Sequence, residues 1–153
     1  MSLESVQNFL AQHAPDIQVL VLPVSTATVD EAAAGHGVTA GQIAKTLSLR
    51  VGERRFLVVT SGDRRLDNKK VKHAFGGKAS MLAADEVEAV TGHPVGGVCP
   101  FGLARALEVF CDVSLKAYRE VVPAAGSVNS AMRISPERLA ALSGAQWVDV
   151  CQD

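Results

Sequence analysis

The sequence predicts an α+β fold, a mixed α/β arrangement in one domain over residues 1–153. Three observations predict it. Helix-start and helix-stop residues recur at irregular intervals, short strand-like runs lie between them without a βαβ period, and two pairs of runs are close enough to form hairpins. The length suffices for one hydrophobic core. The 48% apolar and 20% charged content suits a folded domain rather than a disordered chain.

Ser2 is placed to cap a first helix, in which Leu3, Val6, Phe9, Leu10 and His13 follow helical spacing and Pro15 lies past the end. Ile17 to Leu22 reads as a strand. Thr28-Val29-Asp30-Glu31 has the form of a capping box and opens an Ala-rich helix that Gly35 and Gly37 can stop. Thr39-Ala40-Gly41-Gln42 repeats that form, predicting a second short helix that leads into Lys45. From Thr46 to Val51 polar and apolar residues alternate, as in a strand with one buried face. Gly52-Glu53 reads as a tight turn, and the continuous apolar run Phe56 to Val59 fits a central strand covered on both sides.

Asn68 to Phe75 reads as a basic helix, and Ala84 to Thr91 as another that Gly92 ends. Val95 to Val98 and Leu107 to Val113 look extended, followed by two short strands around Ala125-Gly126-Ser127. Ser135-Pro136-Glu137 starts a last helix with Ser at the cap and Pro at the first position; Gly144 closes it, and Gln146 to Val150 reads as a final strand.

Several function classes are disfavoured at once. The net charge of −1 offers no global attraction to nucleic acid, so an RNA contact requires a local patch, and DNA is not expected. No stretch reads as a signal peptide or membrane span, and three cysteines without tight spacing suit reduced thiols, which points to the cytoplasm. There is no Walker loop, no dinucleotide fingerprint and no Cys-x-x-Cys. The four histidines stand at least 20 residues apart, so no metal or other cofactor is expected.

Gly96-Gly97-Val98-Cys99-Pro100-Phe101-Gly102 is the most unusual stretch. Its glycines and proline permit a backbone path that can turn amides and carbonyls toward a ligand, as an oxyanion hole requires; a bulged strand leaving a sheet is the plainer reading. Cys99 within it invites a nucleophile reading, which needs a base such as His93 near the sulfur; a core thiol is the commoner case. Lys45, beside a strand, could hold a phosphate or carboxylate as a point charge, although such a lysine is most often solvated. Asp63 to His73 carries Arg64, Arg65, Lys69, Lys70 and Lys72 against two acids, a local charge of +3 that suits either a solvated helix face or an RNA backbone.

Gln42-Ile43-Ala44-Lys45-Thr46-Leu47, Gly62-Asp63-Arg64-Arg65-Leu66-Asp67, Gly92 through Gly102 and Ser135-Pro136-Glu137-Arg138-Leu139 together resemble the YbaK/ProX family, relatives of the editing insertion domain of bacterial prolyl-tRNA synthetase. The resemblance covers residues 25–143. It implies a curved, mostly mixed or antiparallel sheet around a pocket, flanked by helices. It also implies hydrolysis of the ester joining a wrong amino acid to the tRNA 3′ end, on tRNA(Pro) or a related tRNA, with the ribose 2′-hydroxyl helping to activate water.

By the same resemblance Lys45, Gly97 and Gly102 are the catalytic positions, Lys45 holding the terminal adenosine's phosphate. Thr46, Gly96, Val98, Cys99, Pro100, Phe101 and Ser127 are substrate-binding positions. The acceptor-stem contact is assigned to Arg64, Arg65, Lys69, Lys70 and Lys72, and the partners are the acceptor end of aminoacyl-tRNA together with prolyl-tRNA synthetase. Where some alanine-editing members carry a histidine in a glycine-rich segment, Ala125-Gly126-Ser127-Val128-Asn129-Ser130-Ala131-Met132 has none, so cysteine, serine, threonine and non-protein amino acids stay open. The competing readings are a non-catalytic module that binds tRNA ends, nucleotides or a synthetase, and a thiol hydrolase built on Cys99.

Overall fold

In a computed structural model, which describes residues 2–153, helices and strands follow in the order α1 (Ser2–His13), β1 (Leu20–Val21), α2 (Val29–His36), β2 (Ile43–Val51), β3 (Arg54–Ser61), α3 (Asn68–Phe75), β4 (Ser80–Met81), α4 (Ala84–Thr91), β5 (Glu108–Asp112), β6 (Val122–Pro123), β7 (Ser130–Ala131), α5 (Pro136–Ser143) and β8 (Gln146–Val148). Strands β2 and β3 form an antiparallel hairpin through Gly52-Glu53, with Thr46 opposite Val59 and Leu49 opposite Phe56. Gly52 sits at φ 59°, a left-handed conformation that a side chain would strain. β3 pairs in parallel with β5, and β5 with β8. The far edge of β2 carries two short partners, antiparallel β4 at Leu49 and Arg50 and parallel β6 at Ile43 and Ala44. The result is a six-stranded mixed sheet beside a separate β1–β7 ladder, in keeping with the α+β expectation.

Both faces of the sheet are covered, which explains the unbroken apolar run in β3. Leu57 and Val59 join Val109 and Cys111 under α1 and α5, whose Val6, Leu10, Leu139 and Ala140 fill the larger core. Phe56 and Val58 point to the other face, where α3 contributes Val71 and Phe75. There the rings of Phe56, Phe75 and Phe110 meet at centroid separations of 4.5–5.5 Å, within the range where tilted and edge-on pairs attract.

The helix ends follow their local signals. Thr28 and Glu31 complete the capping box of α2, Asp67 accepts from the Lys69 and Lys70 amides, and Ser135 accepts from the Arg138 amide with Pro136 at the first helical position. Gly37, Gly76, Gly92 and Gly144 end their helices in the left-handed conformation.

Elsewhere tertiary pairing overrides the local signal. Ser2 is the first residue of α1 and donates its hydroxyl to the Gly126 carbonyl instead of capping its own helix. Only Leu20 and Val21 of the expected first strand find a partner, in β7. Gly35 does not stop α2, which runs one residue further to His36. The second capping box yields a 3-10 turn over Ala40–Gln42, because Ile43 is already paired with β6 and Ala44 with both β3 and β6. Lys45 therefore lies inside β2, not at a helix-to-strand junction. Val95 and Gly96 form a turn, closed by the Gly97 amide on the Pro94 carbonyl at 2.9 Å, so the expected strand over Val95 to Val98 is absent, and β8 ends at Val148. No described helix is long and apolar enough to cross a membrane.

Candidate functional site

A cavity of about 230 Å³ lies against β2. Side chains alternate along a strand, so Ala44, Thr46 and Ser48 share the face of Leu57 and Val59, whereas Lys45, Leu47 and Leu49 share that of Phe56 and Val58. The first set faces the cavity. Ile43 and Lys45 of β2 also border it, and the other walls come from Thr26 to Val29 and Ala32 at the start of α2, from Met81, Leu82 and Val87, from Val95, Gly96 and Val98, and from Val122, Ala124, Ser130 and Ala131. Most of these side chains are apolar, as in a site that desolvates a small organic group.

The edge of β2 is open at one residue. The Ser48 carbonyl accepts from the Leu82 amide at 3.0 Å, so the even-numbered residues of β2 turn their backbone groups away from β3. β4 covers that edge at Leu49 and Arg50, β6 covers it at Ile43 and Ala44, and Thr46 lies between them with no strand opposite on that side. Its N–H and C=O consequently point to that edge, where no strand of the described residues is in register with Thr46.

Gly96 and Gly97 hold the opposite wall in place. Gly96 has φ 88°, and a Cβ there would come within 2.8 Å of the Ala27 Cβ. A Cβ on Gly97 would lie 2.7 Å from the Ser127 carbonyl carbon, and the Gly97 carbonyl accepts from the Gly126 amide at 2.9 Å. The loop is thus wedged between the cap of α2 and the turn joining β6 to β7. Ser127 stands one step behind the lining. Its hydroxyl donates to Asn129 Oδ1 at 2.9 Å and lies 2.6 Å from Ser130 Oγ, and Ser130 does reach the cavity.

The second half of the glycine-rich segment turns away from the cavity. Cys99 is fully buried, and burial pushes its thiol up to about 12, which leaves it protonated and unreactive near neutrality. Pro100 is buried beside it. Phe101 stacks on Phe9 of α1 at 4.9 Å, and its carbonyl accepts from His93 Nε2 at 3.1 Å. Gly102, at φ 65°, presses so closely on α1 that a Cβ would fall 2.9 Å from the Val6 nitrogen. These four residues are not among the cavity walls, because after Val98 the chain dives under α1 to complete the core, and Gly97 and Ser127 stand behind the lining against each other. His93 is itself buried and held to a backbone carbonyl, so the pairing a thiol hydrolase needs is not made.

Lys45 borders the cavity too, but its side chain leaves β2 on the face of Phe56 and Val58. Its ammonium donates to the Arg64 carbonyl, near Asp63, Arg65 and Cys151, and among the described residues no carboxylate lies within ion-pair distance. Burial holds its pKa below the usual lysine value, with Arg65 adding to the fall and Cys151 and Asp63 opposing it. Of the basic segment, Arg64, Arg65, Lys69 and Lys72 are exposed. Lys70 is taken up internally by Asp149 at 3.1 Å, Asp153 at 2.9 Å and the Cys151 carbonyl at 2.8 Å.

Sequence reasoning missed Ser48, the Thr26 to Thr28 wall, Ala32, Val87 and Ser130. The one available signal was the hydroxyl at both Thr46 and Ser48 on alternate positions of a strand flanked by apolar runs.

Residues 24–142 match the family described as the aminoacyl-tRNA editing domain. The protein YwhH of Bacillus subtilis, itself uncharacterised, is 47% identical over 100% of this chain and 99% of its own length. EbsC of Enterococcus faecalis, a proposed Cys-tRNA(Pro)/Cys-tRNA(Cys) deacylase, is 28% identical over 80% of this chain and 76% of its own. The proline–tRNA ligase of Bacillus licheniformis is 35% identical over 61% of this chain, which corresponds to only 16% of the ligase. Among solved structures, one described as a proposed trans-editing enzyme for prolyl-tRNA synthetase superposes with a TM-score of 0.91 at 35% identity, covering 99% of this chain and 97% of the other.

Proposed function

The chain belongs to the aminoacyl-tRNA editing domain family, and we propose that it acts in trans as a deacylase of mischarged aminoacyl-tRNA, with tRNA(Pro) the first tRNA to test. The observation that carries this reading is the open edge of β2 at Thr46, with an apolar cavity on one side of the strand and the Lys45 ammonium on the other. A substrate that straddles this edge would place its aminoacyl group in the cavity and a terminal phosphate against Lys45, near exposed Arg64 and Arg65.

The reaction needs no side-chain nucleophile. Water adds to the ester carbonyl, the tetrahedral oxyanion collapses, and the bond to the ribose oxygen breaks as that oxygen takes a proton. Amino acid and free tRNA result. Backbone N–H donors suited to the oxyanion are those of Thr46 and of the loop at Gly96. An ester is already activated, so positioning and charge stabilisation supply the main effects.

One feature favours the non-catalytic alternative, a module that binds tRNA ends or a synthetase: the Lys45 ammonium already has a protein acceptor in Arg64. The test is deacylation of tRNA(Pro) charged with Pro, Ala, Cys, Ser or Thr, by wild type and Lys45→Ala. Hydrolysis of a non-cognate ester that Lys45→Ala abolishes is the expected outcome. Survival of every ester, on tRNA(Pro) and on other tRNAs, would make the binding module the better reading.

A further inference from the structure

Five hydroxyl side chains line the cavity, and they divide into two groups. Thr26 donates to the Val128 carbonyl at 3.3 Å, Thr28 accepts from the Glu31 amide at 3.1 Å, and Ser130 pairs with Ser127 at 2.6 Å. Thr46 Oγ1 and Ser48 Oγ are buried with no partner among the described residues. Ser48 is only 4% exposed. Its backbone is pinned through the Leu82 amide, and apolar Leu82 and Val87 stand at its end of the cavity. Buried hydroxyls are nearly always satisfied, because leaving one unpaired forfeits its hydration without return. Alanine and valine would fill these two positions at no such cost, so the hydroxyls point to a polar group on the ligand.

We infer that Thr46 and Ser48 read a hydroxyl on the substrate, so that the cavity selects a small β-hydroxy amino acid, serine or threonine, over alanine and other apolar residues. This rests on the deacylase reading above. A serine or threonine hydroxyl can both donate to one of the pair and accept from the other, while its carbon skeleton rests on the apolar walls. A cysteine thiol is a weaker donor and acceptor, and an alanine methyl is neither. Sites that hydrogen-bond a substrate hydroxyl discriminate strongly against analogues lacking it, because the site's own groups are then left unpaired.

The test uses isosteres on one tRNA: serine against 2-aminobutyrate, which replaces the hydroxyl by a methyl, and threonine against valine. kcat/KM is measured for the wild type, Ser48→Ala and the nearly isosteric Thr46→Val, with thermal unfolding as a check on folding. The expected wild-type preference for each hydroxylated ester is roughly ten- to hundredfold, the effect of leaving a buried hydroxyl unpaired, falling toward parity in one or both variants. Equal wild-type rates within each isostere pair would overturn the inference while leaving the deacylase reading intact. So would a preference that neither substitution changes. Failure of the wild type to hydrolyse any ester would remove the deacylase reading and this inference together.

Discussion

The Gly97 carbonyl accepts a hydrogen bond from the Gly126 amide at 2.9 Å, and this bond joins two segments nearly thirty residues apart into one wall behind the cavity. Both positions are crowded: Gly97 lies against the segment it bonds, and Gly126 against the start of α1. A Cβ on Gly97 would meet Ser127 backbone atoms at 2.7–2.9 Å, and one on Gly126 would meet the Ser2 carbonyl oxygen at 2.6 Å.

Gly97→Ala should therefore push the two segments apart. The expected cost is roughly 1–3 kcal/mol, as for other overpacked sites. Urea unfolding would measure it, and deacylation at a temperature where the variant is fully folded should be slower, since Gly96 and Ser130 would lose their positions. An unchanged unfolding midpoint would contradict the close packing.

Gly102 and Cys99 should matter for folding rather than chemistry. Gly102→Ala places a side chain at φ 65° and against the backbone of α1, for an expected loss of roughly 2–4 kcal/mol. Cys99→Ala should lose far less and keep most of the activity, and alkylation of native Cys99 should be slow because the thiol is buried and pushed up to about 12. Loss of activity in a folded Cys99→Ala variant would revive the thiol reading.

His93 gives the stability a pH dependence of definite sign. Its Nε2 donates to the Phe101 carbonyl, its Nδ1 has no partner among the described residues, and burial lowers its pKa from 6.5 despite that carbonyl's opposing effect. His36 is lowered too, by burial first and Arg133 second. With the folded pKa below the unfolded one, the unfolded chain binds more protons in the window below 6.5. The contribution is present in full above that value and is lost as pH falls toward the folded pKa. The urea midpoint should drop between about pH 7.5 and about pH 5.5, and His93→Gln should flatten the drop, with His36 accounting for the remainder.

The basic segment should split in function. Lys70→Ala should destabilise the anchoring of the C-terminal residues while leaving tRNA affinity nearly unchanged, because its ammonium is already saturated by Asp149, Asp153 and the Cys151 carbonyl. Arg65→Ala, Lys69→Ala and Lys72→Ala should leave stability nearly unchanged. If this face meets the acceptor stem, they should weaken binding and make it less salt-dependent. Filter binding at two salt concentrations separates the cases.

What the sequence alone determined was largely local. The capping box at Thr28 and Glu31, the Asn68–Phe75 and Ala84–Thr91 helices, the Ser135-Pro136 start and the Gly52-Glu53 turn depend on residues within one helical turn of each other. Their interactions survive whatever else the chain does. The continuous run in β3 likewise announced two-sided burial, because no soluble surface strand can spend four apolar residues in a row. The resemblance to the editing family was legible as well, because it rests on short contiguous stretches such as Gln42–Leu47 and Ser135–Leu139.

Only the tertiary structure decided which face of a strand is a site. Ser48 falls on the polar side of an alternating run, as if it faced solvent, yet it is 4% exposed in the cavity, because the α2 cap, β4 and the Gly96 loop close over that face. Cys99 to Gly102 read as a ligand loop, yet they seal the core beneath α1. The physical reason is common to both. A residue's polarity and its neighbours in sequence set what it can do, but what covers it is supplied by segments tens of residues away, and burial is a property of that pairing.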